Sequence, residues 1–426
     1  MRKFVIRHIR PLSILAFTMG CFLAAQGTGI QLFLHLFYIL VAMLILSYFW
    51  AWSNLRGLMI QREVLTHRAY VGEYARERLI IRNRWLLPRL WIEVQDHSDL
   101  PQHGIGFVVS LGIKQRYRWT ARTRCTRRGR FTLGPTTLIS GDPFGIFRTE
   151  RRLPNTDEII VYPQIVALSH FDLPGTTMSG GRTTHQHTHH LTPNVSSVRE
   201  YIPGDSFNRI HWRTTARTGQ LMVKEFELEP AADCYIVLDM SADSAVTDTR
   251  GWRSVQSPYN LAVESTEEYA ILAAASLTRH LLDQRRAVGL ITWEQHAHIL
   301  AANRETQQMF KILEMLAVLH ARGDRPLAEM LVGESPRFKR NTSLIVITAS
   351  CDERWPQALQ HLLARGIRAT VLFIDSRSFG GWDDPASVLA HIAELHIPTY
   401  RWYQGQSLND ALDTPLLAPG RRFNPG

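Results

Sequence analysis

Residues 199–229 read REYIPGDSFNRIHWRTTARTGQLMVKEFELE, and this stretch divides the chain. Upstream lies a strand-rich, arginine-heavy region; downstream, strands alternate with helices. The stretch opens on a turn, Pro203-Gly204-Asp205, where proline fixes φ and glycine supplies a positive φ without steric cost. A short helical piece carrying Arg209, His211, Trp212 and Arg213 is expected next. After Thr218-Gly219 the pattern predicts a strand over Gln220–Leu228 with Leu221, Val223 and Phe226 turned inward.

Arg199, Glu200, Tyr201, Pro203, Gly204, Asp205, Ile210, Trp212, Ala216 and Arg217, followed by a strand carrying Lys224 and Glu225, resemble the signature of the domain of unknown function 58 family. The resemblance implies a membrane hairpin, a β-rich region, this signature and a von Willebrand factor A-like domain in one chain. It also implies a MoxR-type AAA+ ATPase as companion. It implies no reaction.

At 426 residues the chain exceeds one ordinary core, and an anchor plus two soluble domains is the expectation. The four cysteines, Cys21, Cys125, Cys234 and Cys351, are scattered without CxxC spacing and read as reduced structural thiols in a cytoplasmic soluble part. At the N-terminus, Arg2, Lys3, Arg7 and Arg10 precede an apolar run, Pro11–Ala25. The polar break Gln26–Gly29 separates it from a second run, Ile30–Trp52, whose only ionisable group is His35. Two spans with a tight external turn fit both runs, the second being long enough for a bilayer core of about 30 Å. Arginines flank both ends (Arg10; Arg56 and Arg62), which places both termini in the cytoplasm; the family resemblance implies that the membrane is the inner membrane of a bacterium.

From Leu58 to Val161, alternating segments at Arg78–Arg82, Leu90–Val94, Gly106–Ser110 and Arg130–Leu133, separated by turn signals, predict about seven short strands in a small β-sandwich. Residues 56–152 hold 19 Lys+Arg against 8 Asp+Glu. Lys114, Arg116, Arg118, Arg122, Arg124, Arg128 and Arg130 occupy even positions, while Ile113, Tyr117, Trp119, Cys125 and Phe131 occupy odd ones. Period two means one basic face and one buried face. Such a face is either a solvated surface or a contact with anionic lipid, where each cation contributes about 1 kcal/mol. No basic-aromatic motif points to nucleic acid.

Leu173–Asn194 is a Gly-, Thr- and His-rich loop containing His185, His187, His189 and His190. Four imidazoles so close suit Zn²⁺, Ni²⁺ or Cu²⁺, yet neither Cys nor helical HExxH spacing accompanies them, and a surface loop is the plainer reading. From Ala231 onward, strands at Cys234–Asp239, Val288–Trp293, Ala297–Ala301, Ser343–Ala349, Ala369–Asp375 and Thr399–Tyr403 are expected. They alternate with helices at Glu264–Gln284, Glu305–His320, Trp355–Arg365 and Pro385–Leu395. That alternation predicts a mostly parallel, doubly wound sheet, which binds ligands at the carboxyl ends of its strands. There the sequence reads Asp239-Met240-Ser241-Ala242-Asp243-Ser244. This resembles the DxSxS loop of von Willebrand factor A domains, with Asp243 where the second serine belongs. Thr348-Ala349 replaces a Thr-Asp pair, and Arg322-Gly323-Asp324 stands where a threonine loop is expected. The resemblance implies Mg²⁺ held by Asp239, Ser241, Asp243 and Thr348 at a degenerate adhesion-type site; the plainer reading makes Asp239 and Ser241 loop caps.

The expected fold is thus two transmembrane helices, then a small β-sandwich, then an α/β doubly wound, von Willebrand factor A-like domain. The expected divisions are 1–55, 56–170, 171–230, 231–410 and a tail, 411–426. No Walker loop, GxSxG, GxGxxG or Cys–His pair is visible. Asp205, His211 and Arg217 offer an acid, a base and an anion holder. They equally suit a polar joint in which Trp212 packs between domains and Arg217 pairs with Glu225 or Glu227. A membrane-tethered scaffold for a protein partner, the MoxR-type ATPase, is favoured. A divalent-metal-dependent ligand binder and an enzyme with its site in 199–225 are the alternatives.

Overall fold

The computed structural model describes residues 2–104, 106–169, 171, 191–202, 210–228, 233–248, 258–259, 263–340, 342–413 and 415–416. Side chains are described from 11 onward, except those of 191–197 and 224–228. The described residues fall into two compact units, one within Met1–Gln164 and one within Ile165–Tyr259 and Val263–Gly426.

The first unit begins with α1 (Arg2–Thr28) and α2 (Gln31–Asn54), joined across Gly29, whose φ of 67° lets the chain reverse in two residues. Pro11–Thr28 and Gln31–Asn54 are both long and apolar enough to cross a membrane. The first helix starts upstream of the expected Pro11 and carries that proline within it. Thr18 and Thr28 return their hydroxyls to carbonyls four residues back, which spares the apolar faces an unpaired polar group.

Ten strands follow: β1 (Leu58–Val64), β2 (Arg68–Tyr70), β3 (Tyr74–Asn83), β4 (Arg89–Asp96), β5 (Gly106–Leu111), β6 (Arg116–Arg124), β7 (Gly129–Leu133), β8 (Thr136–Gly141), β9 (Arg148–Leu153) and β10 (Asp157–Tyr162). They make three sheets, β1-β3-β6, β2-β10-β7 and β5-β4-β8-β9. The count exceeds the expected seven because β2 and β9 are too short or too polar to show alternation. Leu58 and Ile81 of the first sheet share a core with Ile92, Val94, Val109, Leu111 and Leu138 of the third. Each such side chain contributes about 1.5–3 kcal/mol through burial. On β6 the expected alternation holds: Arg116, Arg118, Arg122 and Arg124 are exposed while Ala121, Thr123 and Cys125 are buried. Ile113, just before the strand, and Tyr117 depart from it by being exposed, and Arg128 by being buried.

The second unit contains a two-stranded sheet, β11 (Leu191–Glu200) against β12 (Met222–Leu228), with α3 (Trp212–Thr218) between them in sequence. Its main element is a mixed six-stranded sheet with helices, formed by β13 (Cys234–Leu238), α4 (Thr266–Asp283), β14 (Val288–Trp293), β15 (Ala297–Asn303), α5 (Thr306–Val318), α6 (Leu327–Gly333), β16 (Ser343–Thr348), α7 (Arg354–Ala364), β17 (Arg368–Ile374), α8 (Ala386–Glu394), β18 (Thr399–Trp402) and α9 (Leu408–Asp413). The order is β15-β14-β13-β16-β17-β18, parallel except for the edge strand β15. Ser265 caps α4 by accepting the Glu268 N–H at 3.2 Å, and Tyr269, Leu272, Ala273, Leu277 and Leu281 are buried as their spacing predicts. Helix α9 crosses position 410, where the sequence suggests a domain end; its buried Leu408, Ala411 and Leu412 make it part of the fold.

Candidate functional site

Strand β13 lies between β14 and β16, so the chain leaves it in one direction and returns on the other side. Ligands of such sheets bind in the crevice this reversal opens at the carboxyl ends. Asp239, the residue after β13, is buried there. Its Oδ1 accepts the Ser241 N–H at 3.0 Å and its Oδ2 the Thr348 hydroxyl at 2.6 Å. Thr348 Oγ1 in turn accepts the Ser350 N–H at 2.9 Å. The Ser241 hydroxyl donates to Ser244 Oγ at 3.1 Å, and the Ser244 hydroxyl to the Ser241 carbonyl at 3.0 Å. Burial pushes the Asp239 carboxyl above the ordinary aspartate range, and the surrounding hydroxyls and N–H groups offset only part of that.

Of the four sequence candidates, the fold brings together Asp239, Ser241 and Thr348, whereas Asp243 is exposed. Ser244, one position beyond the expected serine, fills the hydroxyl position because a short 3-10 turn over Ala242–Ser244 rotates it inward. Gly323 runs alongside this loop: its N–H donates to the Met240 carbonyl and its carbonyl accepts from Ala242, both at 2.9 Å. A Cβ at Gly323 would stand 2.7 Å from the Trp293 carbonyl, so only glycine fits. Asp324 is exposed, and Asp352 is held by Arg354 at 2.8 Å. Two other acids thus lie in neighbouring loops without joining Asp239.

In the 199–225 stretch, Arg199 pairs in register with Val223 and Glu200 with Met222. Tyr201 N–H donates to the Leu221 carbonyl at 2.8 Å. The Arg199 guanidinium donates to the Glu200 carbonyl at 3.1 Å. His211 caps α3, with Nδ1 2.6 Å from the Thr214 hydroxyl and 3.3 Å from its N–H. Gly219 ends the helix at φ 74°. Trp212, expected to pack, is 65 % exposed, and Arg217 is also exposed. Pro203, Gly204, Asp205 and the His185–His190 loop lie outside the described residues, as do the side chains of Lys224 and Glu225. His211 is therefore a helix cap, and among the described residues no hydrogen bond or ion pair joins it to Arg217 in an acid–base arrangement.

The first unit holds a cluster that the sequence reading missed. Arg62 donates through Nη1 to Glu77 at 2.8 Å and through Nη2 to Asp96 and, at 3.0 Å, to Thr136. His103 Nε2 is hydrogen-bonded to Asp96 at 3.1 Å and lies 3.1 Å from Glu77 as an ion pair; Nδ1 meets Thr123 at 2.7 Å. All four charged side chains are nearly inaccessible. Burial would lower the His103 imidazole, but the hydrogen bonds and charges of Asp96 and Glu77 overcome it and raise it to about 9. Burial likewise acts to raise Asp96, and His103, Arg62 and Thr136 together hold it below the usual range. One atom from each of Glu77, Asp96 and His103 falls within 4.8 Å of the others, as metal ligands do. Here Arg62 and the imidazolium already balance both carboxylates. The one available signal was polar residues at buried-phase strand positions, Glu77 and Asp96.

The chain is 22 % identical to the uncharacterized protein YeaD of Bacillus subtilis (strain 168) over 77 % of its own length and 79 % of that protein's. Among solved structures, the CARDB domain of PF1109 from Pyrococcus furiosus matches in solution (16 % identity, 25 % of this chain and 94 % of that one, TM-score 0.21). The same domain in complex with di-metal ions matches with 15 % identity, 24 % and 91 % coverage and a TM-score of 0.20. Likenesses this slight carry no argument here. The family described as "Protein of unknown function DUF58" matches residues 197–377, from β11 through the Asp239 loop and Thr348 to the turn after β17.

Proposed function

We propose that the protein is a membrane-anchored cytoplasmic scaffold that holds a protein partner, a MoxR-type AAA+ ATPase, in assembly or remodelling of envelope or metalloenzyme clients. In this reading α1 and α2 cross the inner membrane with both termini cytoplasmic, as the flanking arginines favour. The six-stranded sheet is read as doubly wound and von Willebrand factor A-like. Counted from β13 its order is 3-2-1-4-5-6 with the third strand antiparallel, which supports that assignment. Exposed Arg116 and Arg118 are read as facing anionic lipid more than Arg122 and Arg124. β6 begins at the sheet end where α2 joins, and Arg124 lies about 27 Å further along at about 3.4 Å per residue, beyond a Debye length of about 8 Å.

The observation that carries the reading is Trp382, 89 % exposed in the loop that follows β17 at the carboxyl edge of the sheet. Gly380 (φ 92°) and Gly381, whose added Cβ would stand 2.8 Å from the Ser376 carbonyl, shape the turn before it. Large exposed tryptophans are preferred anchors of protein interfaces. The Asp239 loop does not fit a resident Mg²⁺: it offers one carboxylate, which already accepts from the Ser241 N–H and the Thr348 hydroxyl, and the Ser241 and Ser244 hydroxyls are engaged with one another. Recognition is accordingly independent of metal.

The test is capture of the ATPase by the full chain from native membranes, with and without nucleotide and with EDTA. Trp382→Ala should reduce capture by more than tenfold, since such anchors contribute about 2 kcal/mol or more. Undiminished capture would remove this edge from the interface. Capture abolished by EDTA would favour the metal-dependent ligand binder.

A further inference from the structure

We infer that the strand-rich unit is itself seated in the lipid interface, through a collar of apolar loops pinned to the last two turns of α2. The inference rests on the membrane-anchor reading and adds a second lipid-contacting surface to it. At about 1.5 Å per residue the 24 residues of α2 extend about 36 Å. A hydrocarbon core of about 30 Å therefore reaches nearly to the helix end.

Three attachments bind loops to that end. Ser47, two turns before Asn54, donates its hydroxyl to Asp142 at 3.0 Å. Asp142 also accepts the N–H groups of Phe144 at 2.9 Å and Phe147 at 2.6 Å, closing the β8–β9 turn against the helix. Tyr48 meets Phe147 edge-on at 5.7 Å. The turn thus climbs about 10 Å along α2 from Asn54 toward the lipid, and its tip, Phe144, is 60 % exposed.

The second attachment is Asn54, which holds the Leu90 backbone by N–H and carbonyl at 3.3 and 2.7 Å. The next residue, Trp91, is exposed in the left-handed region, φ 51°, a conformation that costs a bulky residue energy and marks a position held for a purpose. The third is Gly57 (φ 71°), where the Trp85 indole would stand 2.0 Å from an added Cβ and whose carbonyl accepts the Arg84 N–H at 3.0 Å. Beside it Arg89, 1 % exposed, donates to Ser53 at 3.1 Å, near the negative end of α2. Asn83 donates to the carbonyls of Leu87 at 2.8 Å and Gly112 at 2.9 Å, tying the 84–87 loop to the turn that carries exposed Ile113. Leu86 is 70 % exposed.

Trp85, Leu86, Leu87, Trp91, Ile113 and Phe144 are exposed large apolar residues grouped where a spanning helix leaves the bilayer. Aromatic side chains prefer that depth, and such a cluster on a soluble face would be an aggregation hazard. The occupant is therefore the phospholipid interface of the leaflet from which α2 emerges.

The test places nitroxide labels at Leu86→Cys and Phe144→Cys in the full chain in phospholipid nanodiscs. The background is Cys351→Ser, the other three cysteines being buried. Ile39→Cys in mid-α2 and Arg122→Cys on β6 are references. Collisions dominated by oxygen rather than by a water-soluble nickel complex at 86 and 144, as at 39 and opposite to 122, are expected. Nickel-dominated collisions at 86 and 144 with oxygen-dominated ones at 39 would overturn the collar and leave the anchor standing. Nickel-dominated collisions at 39 as well would overturn the anchor, and the collar with it.

Discussion

Two buried aspartates in this chain meet opposite electrostatics. Asp96, among Arg62, His103, Glu77 and Thr136, is held below the usual carboxylate range; Asp239, among hydroxyls and backbone N–H groups, is pushed above it. Both are desolvated, and desolvation acts on both in the same direction. Hydrogen bonds alone do not reverse it at Asp239, while hydrogen bonds with two cations do at Asp96. The residue nearest a recognisable motif is therefore the one whose carboxyl is raised, and among the described residues this buried charge network lies where no motif was seen.

The largest effect expected from breaking this contrast is at Arg62. Arg62→Met leaves Glu77 and Asp96 buried with one imidazolium between them, and removing one partner of a buried ion pair costs about 3–5 kcal/mol. The chain has two units, so a single melting temperature is ambiguous. Hydrogen exchange resolved to β3 and β4 in the full chain reads the unit directly. Protection there should fall by two to three powers of ten or more, at about 1.4 kcal/mol per decade, with β13 and β16 unchanged. Unaltered protection in β3 would mean that the network is dispensable.

The next effect sharpens the comparison through pH. His103 is raised from 6.5 to about 9, so its contribution is fully present below pH 6.5 and is lost as pH rises through about 9. A shift of that size corresponds to about 3 kcal/mol. Corrected for the intrinsic rate, protection of β3 and β4 should decline between pH 7 and 9.5 in the wild type. In His103→Gln it should start lower and stay flat. Parallel profiles in the two proteins would show that His103 is not charged in the folded state.

The same contrast explains what could be read from the sequence. Period-two arginines on β6, apolar runs in α1 and α2, and the alternation from Cys234 to Trp402 are local patterns, and each became the expected element. Asp239, Ser241 and Thr348 were legible because each stands at a strand end of recognisable type. Ser244 was not, since a one-residue 3-10 shift decides which hydroxyl turns inward. Arg62, Glu77, Asp96 and His103 come from three strands and a loop, and it takes the register of β1 with β3 in one sheet, that of β4 with β8 in another and the packing of the two sheets to bring them together. The collar at α2 escaped for the same reason: Ser47 and Asp142 are 95 residues apart.

The smallest effect is expected at Asp239. Its folded value is raised, so its ionisation opposes folding: stability is greatest below the unfolded value near 3.8 and falls as pH rises through the folded one. Asp239→Asn removes that penalty and keeps the shape. The amide oxygen can accept the Ser241 N–H, and the amide nitrogen can donate to Thr348 Oγ1, which has a second lone pair beside the one used by Ser350. Protection of β13 and β16 at pH 7 should therefore change by less than about 1 kcal/mol, in either direction, within the spread of mild substitutions. Millimolar Mg²⁺ should leave wild type and variant alike. A cation bound at a free concentration ten times its Kd would instead add about 1.4 kcal/mol of protection. Mg²⁺-dependent protection of the β13 edge that Asp239→Asn abolishes would make this aspartate a metal ligand, and the contrast with Asp96 would become one between a cation supplied by the chain and a cation supplied from solution.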